Sequence, residues 1–223
     1  PAGASASTGA APAQTSAAGV SPFGPGSAFV VCDVKKCEIA FDCDFEYFNQ
    51  QGADVMATVT RVEEILNEVD YFYVRDLMVT YELTDVLVRT APFYADIDGG
   101  TLLNDFRSEW NSAQAAIPRD IGHLMTDKNN LSGYAGLAWV GVVCTASAYG
   151  WSLDTSNIVG HEVGHNWAAP HCLDESPCNN MCGACLNIAP NTLSVMLAHR
   201  NSRTCLEDVP LYASDVPPYG QRD

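Results

Sequence analysis

His161, Glu162, His165 and His171 fall in one short string, His161-Glu-Val-Gly-His165-Asn-Trp-Ala-Ala-Pro-His171. Three imidazoles and a carboxylate are the parts of a hydrolytic zinc centre, in which neutral nitrogens hold the ion and an acid handles protons. On an α-helix His161 and His165, four residues apart, project from one face about one turn apart and can grip a single ion. Glu162 is poorly placed to ligate but well placed to take a proton from a water beside the metal, the role of a general base. His171 lies too far along to share that face, so the chain must turn after about Trp167, and Pro170 supports the turn because proline does not easily continue a helix. Two histidines at this spacing arise by chance in helices; a third, in a chain with five histidines in all, makes the metal reading the stronger one. His123 and His199 read as ordinary polar or half-buried side chains.

The surrounding pattern supplies a scaffold for this helix. Cys37 to Phe48 alternates apolar and polar residues, as a half-buried strand does. Val55, Val59, Val62, Leu66, Val69 and Tyr73 then recur at steps of three and four, the apolar stripe of a core-packing helix. Strands are expected over Leu77 to Val88, Asp120 to Thr126, Leu137 to Cys144 and Ala146 to Ser152, with a second helix over Leu102 to Trp110 after an Asp98-Gly-Gly turn. Asp154 or Thr155 can cap the histidine helix. This order describes an α/β fold with a five-stranded sheet and helices against it. Gly160 and Gly164 each precede a histidine and weaken the helix by about 1 kcal/mol apiece, which is explained if another segment passes closely beneath.

With 223 residues and 47% hydrophobic composition, the chain can bury one core. Residues 1–36 read as a low-complexity linker or processed precursor segment, 37–211 as the catalytic domain with an irregular subdomain from about 172, and 212–223 as a Pro-rich tail; Asp208 onward looks like an exit linker. A net charge of -16 opposes nucleic acid and anionic membrane as partners, and no apolar run is long enough to span a bilayer. Calcium is compatible with the acidic composition, but no calcium-binding motif supports it. Nine cysteines suggest a secreted, disulfide-bonded protein. The cluster Cys172, Cys178, Cys182 and Cys185 suits disulfides or, less well, a structural zinc site.

On these features the stretch from about Cys37 to Cys205 resembles the metzincin zinc endopeptidases, most closely their adamalysin or reprolysin branch. The family string is HExxHxxGxxH, and Gly136-Leu-Ala-Trp-Val-Gly-Val-Val-Cys144 matches the family strand GLAxxGxxC. The resemblance implies a metzincin-like mixed sheet, one catalytic Zn2+ on His161, His165 and His171, and Glu162 as base. It implies that Gly136, Leu137, Ala138 and Trp139 form the sheet edge that pairs with an extended substrate. It also implies a Cys144–Cys205 bridge and a methionine turn beneath the metal. Of Met181 and Met196, Met196 is expected there, with Leu197 to His199 walling a specificity pocket. Two departures stand out: Ala168 replaces a turn glycine, and Cys172 replaces an aspartate. Cys32, ahead of the domain, is expected in a disulfide rather than as a latency thiol.

The implied activity is hydrolysis of peptide bonds in protein or peptide substrates by a secreted monomer. The rival reading is a zinc-retaining interaction module whose activity has lapsed, with Ala168 as a symptom. A glutamate replacing His171 as third ligand is disfavoured, because Glu175 lies in the cysteine-rich loop and Glu207 in the Pro-rich tail.

Overall fold

A computed structural model describes residues 30–95, 98–129, 131–173 and 178–212, without the side chains of 30–33 and 210–212. The expectations for the terminal segments 1–29 and 213–223 and for the Cys32 thiol lie outside the described residues.

The first strand, β1 (Val30–Cys43), begins inside the stretch expected to be linker. Along it Cys37, Ile39, Phe41 and Cys43 are buried on one face of the sheet, while Ala40 packs into a second cluster. That is the period-two alternation of a strand covered on both sides. It stops at Cys43 because Asp44 caps a short helix, α1 (Phe45–Gln50), its carboxylate accepting from the Tyr47 N–H. The sequence pattern over Phe45 to Phe48 therefore belongs to a helix, not to the strand.

The long helix α2 (Val55–Leu77) starts at Asp54, whose side chain accepts from the Met56 and Ala57 N–H groups, satisfying donors that a first turn leaves open. Its stripe buries Val62, Ile65, Leu66, Val69, Phe72 and Tyr73, whereas Val55 at the start is 45% exposed. β2 (Val79–Val88) returns parallel to β1. Asp98, Gly99 and Gly100, expected to be a turn, are the start of α3 (Gly99–Ser112), with the Asp98 carboxylate accepting from the Thr101 N–H and hydroxyl. Gly99 is needed there, since a β-carbon would stand 2.6 Å from the Trp151 ring.

β3 (Ile121–Met125) and β5 (Tyr149–Ser152) continue the parallel sheet, and β4 (Gly136–Ala138) runs antiparallel to β5 at the edge. The order is β2-β1-β3-β5-β4. The five expected strands become six: β6 (Glu207–Tyr212), in the segment expected to be an exit linker, pairs antiparallel with the first half of β1. Lys36 of β1 holds both Glu207 and Glu82, so the strand is anchored by charge as well as by its ladder. One core, with α2 and the histidine helix α4 (Ser156–Asn166), covers one face of the sheet; the other, built on α3, covers the opposite face. The last helix, α5 (Pro190–Asn201), lies in the small disulfide-rich region after His171. Among the described residues no helix is long and apolar enough to cross a membrane.

Candidate metal centre

Helix α4 begins at Thr155, whose hydroxyl accepts from the Ile158 N–H. Two close contacts account for its glycines. A β-carbon on Gly160 would stand 2.7 Å from the Phe72 ring, and one on Gly164 would stand 2.6 Å from the Met181 sulfur. The Tyr73 hydroxyl also donates to the Gly160 carbonyl at 2.8 Å. The helix ends at Trp167, fully buried, with its indole N–H on the Tyr81 hydroxyl at 2.8 Å. Ala168 then takes φ +74°, the left-handed conformation that reverses the chain, and His171 comes back beside the helix.

The three histidines converge. Their ligand atoms lie within 4.8 Å of one another, with His165 Nε2 at 2.9 Å from His171 Nε2 and the latter at 3.0 Å from His161 Nε2. A tetrahedral ion with metal–nitrogen bonds of about 2.0–2.1 Å needs its nitrogens about 3.3 Å apart. The hydrogen bonds on the far side of the rings fix which nitrogens face inward as acceptors. His161 Nδ1 donates to the Asn180 carbonyl and His165 Nδ1 to the Ala169 carbonyl, each at 2.8 Å. In the neutral rings each Nε2 is then a lone pair aimed at the shared point, an arrangement that repels itself unless a cation sits there. Burial pushes His165 down to about 4 and also lowers His161, in both cases against the hydrogen bond to the backbone carbonyl and with help from neighbouring imidazoles. These two rings are held neutral, the form a metal requires. The residues present thus fit a zinc ion with one position left for solvent or substrate.

Glu162 is 5% exposed, and burial pushes its carboxyl up to about 8. Among the described residues it accepts no hydrogen bond. It lines, with His161, His165 and His171, a cleft of about 690 Å³ that Gly136, Leu137 and Ala138 also line. These are the β4 residues at the sheet edge. Trp139, which follows, is 37% exposed, stacks on Arg107, and has its carbonyl held by the Asn166 side chain at 2.9 Å. The segment after β4 is tied to the end of α4 by Gly141 N–H to the His165 carbonyl and Val142 N–H to the Asn166 carbonyl. The strand expected to run to Cys144 stops at Ala138, because Gly141 and Cys144 take positive φ.

Met196 is not where it was expected. It is buried inside α5, a helix opened by Pro190 at its first turn, a position where proline favours helix over an irregular turn. The methionine against the histidine helix is Met181, packed on Gly164 and following Asn180, which holds His161. Leu197 and His199 do not line the cleft; His199 packs beside Trp167. The signal for Met181 lies in Cys178-Asn-Asn-Met181-Cys182, a short turn stapled by Cys172–Cys182 and Cys178–Cys185. The cysteine cluster forms disulfides rather than a second metal site, and Cys144 pairs with Cys205. Cys37 and Cys43 are buried free thiols. A further grouping of Asp120 with Cys144 and Cys205 offers no thiolates, its sulfurs being joined to each other.

Among solved structures, one described as "Structure of a chaperone-substrate complex" superposes with a TM-score of 0.58 at 13% identity, over 74% of this chain and 34% of that one. At that identity the likeness speaks to the fold, and the chain spans about a third of that protein's length. No curated protein matches the chain in sequence. The sequence model of Metallo-peptidase family M12 (Reprolysin_5) matches residues 33–205, a span that holds the whole sheet edge, the histidine helix and all three disulfides, and the chain belongs to that family.

Proposed function

We propose that this chain is a zinc-dependent endopeptidase that hydrolyses peptide bonds in extended protein segments. The observation that carries the reading is the convergence of three inward-facing Nε2 atoms beside a buried, cleft-lining carboxylate, with a strand edge lining the same cleft. His161, His165 and His171 would hold the ion. When bound, zinc supplies Lewis acidity that polarises the scissile carbonyl and lowers the pKa of water toward about 7. Glu162, at the same cleft, accepts the proton of the attacking water and returns it to the departing amine. The Gly136–Ala138 edge pairs with the substrate backbone, a mode that accepts many sequences and leaves selectivity to side-chain pockets. Tyr134, Val140 and Ile158 give the cleft an apolar lining. Met181, rather than Met196, is the methionine that supports the histidine helix from below.

An intact, cleft-facing Glu162 favours the enzyme over a lapsed binding module, which has no use for a base. We further infer a secreted monomer acting on protein or peptide substrates, supported by the three disulfides. The test is digestion of casein by the oxidised, zinc-loaded chain. Cleavage abolished by a chelator and restored by added zinc is expected; bound zinc without cleavage would establish the binding module instead.

A further inference from the structure

Glu162 is held in an unusual way for a proton-transfer group. Among the described residues no donor fixes its carboxylate, although it is 5% exposed. What lies against it is backbone. A β-carbon built on Gly136 would stand 2.5 Å from Glu162 Oε1, 2.6 Å from its Cγ and 2.8 Å from its Cδ. Real β-carbons do not approach heavy atoms so closely, so the carboxylate occupies space that only glycine leaves open.

The two partners differ in their freedom to yield. Gly136 is pinned: it pairs with Ser152 across β4 and β5, and the Leu153 N–H donates to the neighbouring Ala135 carbonyl at 2.9 Å. Glu162 has rotatable bonds and no hydrogen bond to lose. A side chain at position 136 therefore displaces the carboxylate, not the strand. The φ of Gly136 lies outside the left-handed region, so alanine brings no backbone strain of its own.

We propose that Gly136 is a positioning residue: its bare backbone is the rest against which the Glu162 carboxylate is aimed, in place of a hydrogen bond. This rests on Glu162 being the base of a peptidase. It gives the edge strand a second role beside pairing with substrate, and it explains glycine at a strand position where a larger side chain would pack better.

Gly136→Ala, assayed as zinc-loaded chain on a quenched peptide, is expected to lower kcat about 10²-fold, the scale of a 1 Å misplacement of a reacting group. KM should change by less than about threefold, with zinc content and melting temperature as in wild type. Glu162→Asp shortens the side chain and frees the contact, so in the double variant the two losses should overlap: the combined fall in kcat is at least about fivefold smaller than the product of the single falls. A crystal structure of the zinc-loaded Gly136→Ala chain should show Glu162 in a new rotamer over an unmoved β4. The proposal is overturned by a kcat within about twofold of wild type, by a loss confined to KM, by losses that multiply, or by a shifted strand over an unmoved Glu162. Failure of the peptidase reading itself looks different, as a wild-type chain without chelator-sensitive cleavage, and the crystal structure still decides the contact.

Discussion

Ala168 carries a left-handed φ of +74° at the turn that delivers His171 to the metal point. An L side chain there is strained by about 1–2 kcal/mol, which glycine relieves. Ala168→Gly should therefore raise unfolding stability by about 0.5–1 kcal/mol, net of glycine's greater unfolded-state entropy, in urea titration of the zinc-loaded chain; unchanged or lowered stability would mean that the Ala168 methyl, 3.4 Å from where a Gly141 β-carbon would stand, is packed well enough to offset the strain. His123 is a second residue-scale case. It is fully buried with Nε2 on the Ser152 hydroxyl at 2.9 Å and Nδ1 without a partner, and burial pushes it down to about 3. Between pH 6.5 and 3 the unfolded chain binds a proton at this site that the folded chain refuses, so stability falls as pH falls, by roughly 1.4 kcal/mol per pH unit at most. His123→Gln should flatten the stability–pH curve in that window and leave the slope above about pH 7 unaltered; parallel curves for the two proteins would show that His123 is not the source.

At the scale of elements, the fit of α4 over its neighbours is the exacting part. Alanine at Gly160 gains about 1 kcal/mol in helix propensity but drives a methyl into the Phe72 ring at 2.7 Å. Gly160→Ala should therefore destabilise the fold by about 1–3 kcal/mol, read as a lowered thermal midpoint, and a rise in midpoint would show that propensity outweighs contact. The Cys144–Cys205 bridge closes a loop with a sequence separation of 61, which on chain-entropy grounds contributes about 4 kcal/mol. The double variant Cys144→Ala/Cys205→Ala should lose a stability of that order, and a loss below about 1 kcal/mol would mean that β6 pairing alone holds the C-terminal segment. Some of this was legible in sequence. The α2 stripe, the histidine helix and β2, β3 and β5 follow from local periodicity, and the Cys144–Cys205 pair follows from family likeness. The strand at Glu207–Tyr212 was not legible, since a Pro-containing, acidic segment pairs there only because β1 offers an edge and Lys35 and Lys36 offer counter-charges. Met196 misled because its neighbours mimic a turn, whereas Pro190 starts a helix; Met181 is marked in sequence by the cysteines that close its short turn, and its contact with Gly164 emerges only in three dimensions.

For the molecule as a whole, the sheet brings an edge strand and a helix from different parts of the chain to one cleft, while the Cys172–Cys182 and Cys178–Cys185 disulfides hold the irregular region around Met181. On the proposed reading the division of labour is simple, with imidazoles for the ion, a strand edge for the substrate, and a single buried acid for the proton. That last assignment separates an enzyme from a zinc-bearing scaffold. The direct measurement is the rate at which zinc-loaded Glu162→Gln cleaves an unfolded protein, with bound zinc determined on the same sample. The account predicts one zinc per chain, as in wild type, and a cleavage rate lower by about 10²-fold or more. Wild-type cleavage by that variant with its zinc in place would contradict it.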